Sequence, residues 1–407
     1  MKPRTITSVI NRALKTFPAL VLTGPRQSGK TTLLRAYFGE THDYVSLENP
    51  DIRLRVRNDP AGFIRQATRP VILDEIQYTP ELLPYIKTAI DENRKPGYWI
   101  LTGSQNFALM NNVSESLAGR AAILSLQPFS VAEREGNGAA SLPPLDLLRA
   151  IQTPRKQEQE LDIPEIILRG NYPEIASNPE VDRALWCSSY ITTYLERDIR
   201  NLAQVGDLGQ FEIFLRACAV RTGQILELTS LAREIGVSFT TARRWLSMLE
   251  TGYQILLLRP YYRNIGKRMV KRPKIYFTDT GLASYLLGIH TREQLLNGQY
   301  FGPLFETVLV TDFWKRFLHH GQTPSLYFLR TQDGLEIDLL VEDENRLRLI
   351  EAKSTATIRP EHATSLQRVK NDLSGIVDSA MIVSNASDLY SLPGEILHIP
   401  ASRAFLS

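Results

Sequence analysis

The run Gly24-Pro25-Arg26-Gln27-Ser28-Gly29-Lys30-Thr31 is the first place where residue types and spacing imply chemistry. It fits G-x-x-x-x-G-K-[ST] in full, with an apolar segment before it and a helical pattern after it, which is the context the motif needs. The glycines let backbone N–H groups turn inward onto phosphates, and the helix that begins near Thr31 adds partial positive charge at its N-terminus. The binding set runs from Gly24 to Thr32. Lys30 is expected to reach the β- and γ-phosphates, and the Thr31 hydroxyl to ligate Mg2+. A second apolar run, Val71-Ile72-Leu73, ends in Asp74 and Glu75. Asp74 is expected to hold the Mg2+, and Glu75 to orient and deprotonate the attacking water, as a hydrolase requires. The expected cofactors are therefore ATP and Mg2+.

Two further residues belong to this chemistry. Ser104, at the end of a third apolar run, would contact the γ-phosphate or the lytic water, with Asn106 as a weaker alternative and a plain polar loop as the bland one. Arg120, in Ser116-Leu117-Ala118-Gly119-Arg120, would act as an arginine finger toward a neighbouring subunit, which implies a homo-oligomer; a surface arginine is the alternative.

A different chemistry is suggested near the C-terminus. Asp338, in Glu336-Ile337-Asp338-Leu339-Leu340-Val341, is followed by Glu351-Ala352-Lys353, the D-x(n)-E-x-K pattern of PD-(D/E)XK nucleases. Asp338 and Glu351 on a hairpin, with Glu306 from the helix before it, would hold one or two Mg2+ ions that activate water against a phosphodiester. Lys353, two residues after Glu351, shares its face of the strand and would position the water. The same acids would otherwise be a solvated strand face or the remnant of an inactive binding module.

These residues need elements to hold them. Apolar, β-branched segments at 19–23, 44–47, 71–74, 98–102 and 121–126, separated by helical patterns, predict a parallel α/β sheet buried on both faces. Gly, Pro and polar residues across 136–164 predict a loop or linker, and 164–202 reads as helical. The segment 228–235, Gly236 and then 238–250 reads as helix, tight turn, helix, with Ser238 as N-cap of the second helix. Strands at 255–258 and 275–277 would form a wing. Thr240, Thr241, Arg243 and Arg244 fall early on the second helix, where a DNA reader meets bases or phosphates. The stretch 259–274 carries seven basic residues and no acidic one, among them Lys267, Arg268, Lys271 and Arg272. Such a wing would bind phosphates non-specifically; winged helices also serve as protein-binding modules. A helix at 305–318 and strands at 326–330, 336–341, 346–352 and 379–384 complete the C-terminal part.

Composition sets the outer limits. The chain has 407 residues, enough for two to four domains, and a net charge of only +3, so any basic surface must be local. Its two cysteines, Cys187 and Cys218, form no CxxC pair, which argues against a disulfide framework or thiolate metal site and predicts a reducing cytoplasm. No stretch approaches the roughly 20 apolar residues of a membrane span.

Together the segments 22–32, 71–77, 101–105, 116–129, 170–174, 193–202 and 261–281 and the terminal acids resemble a family of bacterial and archaeal AAA+-type ATPases that carry a C-terminal domain of unknown function. The resemblance spans nearly the whole chain. It implies a five-stranded P-loop core with an extra strand between the P-loop strand and the acidic strand, and it supplies no substrate. No clear second sensor arginine stands in the helical segment. The expected division is a P-loop ATPase core at 1–160, a helical lid or linker at 161–210, a winged helix at 211–295 and a PD-(D/E)XK-like α/β domain at 296–407. The expected function is a Mg2+-dependent ATPase that controls a C-terminal half acting on DNA, without membrane partners. The rival is an ATP-driven switch whose inactive C-terminal half binds a protein; a small-molecule kinase is disfavoured by Glu75.

Overall fold

Five short apolar strands align in parallel: β1 (Ala19–Thr23), β2 (Asp43–Ser46), β3 (Val71–Asp74), β4 (Trp99–Thr102) and β5 (Ala121–Ser125). Their order is β2-β3-β4-β1-β5 in this computed structural model, which describes residues 1–104, 116–152, 160–194, 208–262 and 271–406. β4 thus lies between β1 and β3, the extra strand expected. Alternation sends Val21, Leu73 and Leu101 to one apolar cluster, covered by the helix Leu82–Glu92. It sends Leu20, Leu22, Ile72 and Ile100 to the other, covered by the helices Ile6–Thr16 and Lys30–Phe38. Because Leu22 pairs with Thr102 and Ser46 with Asp74, the strands carry their polar ends to one edge.

The region 136–164 is less open than its composition predicts. It holds a helix, Pro144–Ala150, whose Leu147 and Leu148 are fully buried. A helix this short gives too little periodicity to be read among the prolines. Helices Ile163–Arg169, Arg183–Tyr194 and Leu208–Val220 follow. The helix pair Leu228–Glu234 and Phe239–Thr251 forms as expected: Ser238 Oγ accepts from the Thr241 N–H at 3.1 Å, and Gly236 takes a φ of 75° in the turn between. Beside it lies an antiparallel sheet of β6 (Gln224–Ile225), β7 (Ile255–Leu258) and β8 (Lys274–Phe277), with β8 in the middle.

The C-terminal part is a mixed six-stranded sheet. It contains β9 (Leu326–Arg330), β10 (Glu336–Asp343), β11 (Arg346–Lys353), β12 (Val377–Ser384), β13 (Tyr390–Leu392) and β14 (Ile396–Pro400), in the order β13-β14-β12-β11-β10-β9. The last two strands are short, one ends in proline, and their pattern is too brief to be read from sequence. The helix Phe301–His319 starts four residues before its expected position. Its side chains belong to one apolar core that runs from Val131 to Phe405, so the middle and C-terminal parts pack as a unit. Among the described residues no helix is long and apolar enough to cross a membrane.

Candidate functional site

The P-loop closes against the end of β5. Gly24 has a φ of 143°, and a Cβ there would sit 2.1 Å from the Leu126 carbonyl oxygen, so only glycine fits. Gln27 and Gly29 also have positive φ, at 58° and 93°, and these turns bring the loop round to the helix that starts at Lys30. The Lys30 ammonium donates to the carbonyls of Gly24 and Pro25 at 2.9 and 2.8 Å, inside the loop it is expected to serve. Under the loop lies Arg4, which no motif singles out. It is buried, donates to the Ser28 carbonyl at 3.0 Å and the Gln127 carbonyl at 2.5 Å, and pairs with Glu133 at 3.3 Å.

Asp74 is the hub of the acidic strand. Its carboxylate accepts from the Thr31 hydroxyl at 2.9 Å, from Tyr44 at 2.6 Å and from Thr102. Thr102 in turn accepts from the Glu75 N–H at 3.0 Å, so one hydroxyl ties the two acids together. Glu75 sits at a φ of 60°. Its carboxylate accepts from Gln77 and from the Ser104 N–H at 3.4 Å, while the Ser104 hydroxyl accepts from Gln77 at 3.2 Å. Thr102, Tyr44 and Gln77 are all absent from the sequence expectation, because a hydroxyl or amide beside a motif carries no signal until the strands are paired. Burial, then the bond to Asp74, pushes the Tyr44 hydroxyl well above its ordinary range. A cleft of about 450 Å3 opens over the loop, bounded by Arg26, Thr32, Glu48, Glu75, Tyr190 and Thr193. The Thr31–Asp74 pair and the glycine cradle fit a Mg2+–nucleotide.

Arg120 lies at the opposite, amino-terminal end of β5. It forms a two-pronged ion pair with Asp91 of the same chain, at 2.6 and 2.9 Å. Asn106 lies outside the described residues.

The C-terminal acids converge as the hairpin predicts. Leu339 pairs with Ile350, which sets Asp338 opposite Glu351. A residue outside the expected set joins them. Lys274 of β8, only 1% exposed, drives its ammonium among them: 2.8 Å from Glu306, 2.5 Å from Glu336 and 3.5 Å from Asp338. Burial works against that charge, but Tyr276, Glu306, Asp338 and Glu336 outweigh it and hold the ammonium above the ordinary lysine range. Tyr276 also donates to Glu306 at 2.6 Å. Lys353 donates to Glu351 at 2.7 Å, and the Ala352 N–H to Asp338 at 2.9 Å. Burial and then Asp338 raise the carboxyls of Glu306 to about 7 and Glu351 to about 8. Among the described residues no three acidic, histidine or cysteine groups stand ready to hold a metal.

On the helix Phe239–Thr251, Ala242, Trp245, Leu246 and Leu249 are buried, which leaves Thr240, Arg243 and Arg244 exposed. Thr241 is turned to the cap, its hydroxyl 2.9 Å from that of Ser238. Lys271 is exposed, and Arg272 pairs with Glu227. Lys267 and Arg268 lie outside the described residues.

An uncharacterized protein of Mycobacterium tuberculosis is 32% identical over 399 residues, which cover 97% of this chain and 82% of that protein; one of Mycobacterium bovis matches equally. The chain belongs to their family. Within it, residues 16–135 match an AAA domain, and residues 160–293 and 301–403 match two domains of unknown function, DUF8612 and DUF4143. Solved structures with likeness include a Walker-type ATPase of Pyrococcus abyssi (TM-score 0.41, 17% identity, 70% of this chain and 99% of that one). A RuvB Holliday junction branch migration motor of Thermotoga maritima has a TM-score of 0.31 at 18% identity, over 62% of this chain and 88% of that one. The AAA domain and its parallel sheet make this family member a P-loop NTPase, an enzyme of nucleotide hydrolysis.

Proposed function

We propose that the chain is a Mg2+-dependent ATPase whose cycle of binding and hydrolysis governs a winged-helix and nuclease-like C-terminal half acting on DNA. The observation that carries the ATPase reading is the chain of bonds Thr31–Asp74–Thr102–Glu75 at the P-loop edge of the sheet. Bound Mg2+ would neutralise charge on the phosphates, held by Thr31 and Asp74. Lys30 would leave its loop carbonyls for the phosphates. Glu75, aimed by Gln77 and Ser104, would take the proton of the attacking water. Arg120 would serve a neighbouring copy only after parting from Asp91, in a homo-oligomer. The domain limits 1–160, 161–210, 211–295 and 296–407 belong to the same reading, as does the cytoplasm, which suits two buried free cysteines.

Fluorescent-nucleotide binding and phosphate release test it. Lys30→Ala is expected to lose nucleotide binding, and Glu75→Gln to bind ATP and stop turnover. A Glu75→Gln chain that hydrolyses ATP at the parent rate sinks the role given to Glu75. The DNA reading rests on Thr240, Arg243 and Arg244, which share one exposed helical face. A second reading, a switch whose inactive C-terminal half binds a protein, is favoured by one observation, the lysine among the carboxylates.

A further inference from the structure

We infer that Lys274 is the resident cation of the C-terminal acidic site, and that β8 must withdraw it before a divalent metal can enter. The inference rests on reading Glu306, Asp338 and Glu351 as metal-binding carboxylates. The ammonium lies within 3.5 Å of carboxylates from two elements, the helix Phe301–His319 and β10, and is itself delivered by a third, β8. A lysine that is 1% exposed with three acidic neighbours is a built position rather than a surface contact. Coulomb attraction needs a cation there: without one, buried like charges only a few ångströms apart would repel. One atom indicates that the set has room for more positive charge. Glu351 Oε2 is buried and has no hydrogen-bond partner, while its companion oxygen accepts from Lys353 at 2.7 Å. A buried carboxylate oxygen left bare is costly unless a further partner visits it.

The position of Lys274 determines what can move it. It is the first residue of β8, whose backbone pairs with both β6 and β7 beside the helix pair Leu228–Glu234 and Phe239–Thr251. Anything that shifts that sheet shifts the ammonium. Glu336 is shared between Lys274 and Arg330 (2.8 Å), and Arg330 with Arg272 borders a cleft of about 650 Å3 beside β6. A polyanion in that cleft would draw on Arg272, two residues before Lys274, and so pull on the start of β8 that carries the ammonium. The site would then exchange one monovalent cation for a divalent one only when its anionic substrate is present.

Mn2+ binding to the full chain, followed by paramagnetic resonance with and without Asp338→Asn, tests this. The parent chain is expected to bind no Mn2+ that depends on Asp338. Lys274→Met is expected to gain a Mn2+ ion, lost again in the Lys274→Met, Asp338→Asn double variant; Lys274→Arg is expected to behave as the parent. Lys274→Gln, which keeps hydrogen bonding without charge, replaces Lys274→Met where methionine unsettles the fold. A parent chain that already binds Asp338-dependent Mn2+ overturns the plug and leaves the metal reading standing. A folded, charge-free variant that gains no Mn2+ overturns the metal reading itself.

Discussion

The nucleotide site depends on hydroxyls as much as on its motif residues. Thr102 bonds both Asp74 and the Glu75 N–H, so it sets the relative position of the proposed metal ligand and the proposed base. Thr102→Val keeps the shape and removes both bonds. We expect ATP affinity to hold while turnover falls about tenfold or more, since misplacing the base by about 1.4 kcal/mol in the barrier suffices. Steady-state phosphate release against nucleotide binding separates the two effects. At Gly24 the limit is steric. Gly24→Ala places a methyl 2.1 Å from the Leu126 carbonyl at a φ that side chains avoid. We expect a stability loss of about 1–3 kcal/mol, read by denaturant melts, together with loss of nucleotide binding.

At the scale of elements, the helix Phe301–His319 joins the two sites. Near its N-terminus Glu306 meets Lys274. Toward its C-terminus Asp312 accepts from the Val131 N–H at 2.6 Å and from Arg316 at 3.1 Å, and His319 Nε2 accepts from the Gln127 N–H at 3.1 Å. His319 also lies 3.2 Å from Glu133, the partner of Arg4 beneath the P-loop. One continuous helix therefore links the loop's supports to the acidic site. Asp312→Ala leaves the buried Arg316 without its acid, and we expect a loss of about 3–5 kcal/mol, measured by chemical denaturation. The exposed face of the helix Phe239–Thr251 makes a separate prediction. Arg243→Ser with Arg244→Ser is expected to weaken DNA binding and flatten its salt dependence, because fewer counterions are released. An unchanged salt slope would redirect that face to a protein partner.

The whole molecule carries a pH dependence through the half-buried His320. Burial, then Arg316 and His319, lower His320 to about 4, with Glu133 opposing. A depressed folded value means the unfolded chain binds the proton first. This contribution is therefore fully present above the ordinary histidine value and is lost as pH falls from about 6.5 toward 4. His320→Asn cannot titrate, so the difference in melting temperature between parent and variant is expected to shrink or reverse across that interval. A difference that stays constant from neutral pH to pH 4 would remove His320 from the acid response.

The local structure was largely legible in the sequence. The P-loop, the acidic strand, the Ser238 cap and the Asp338–Glu351 hairpin are written in contiguous residues whose spacing matches a turn, a helix or a strand period. Neighbouring residues need no tertiary structure to be brought together. The sheet order followed from the resemblance. The roles of Arg4, Tyr44, Thr102 and Lys274 were not legible, because each acts on a partner at least 24 residues away. Lys274 shows the difference most clearly. In the sequence it is one of seven basic residues in a stretch expected to face phosphate, and nothing local separates it from Lys271. Strand pairing decided its fate: as the first residue of β8 it is turned away from solvent into the carboxylates, while Lys271 stays exposed. Which residues form the P-loop and the acidic strand end was thus fixed by local spacing, and which cation sits among the C-terminal acids was fixed only by packing three elements around one buried charge.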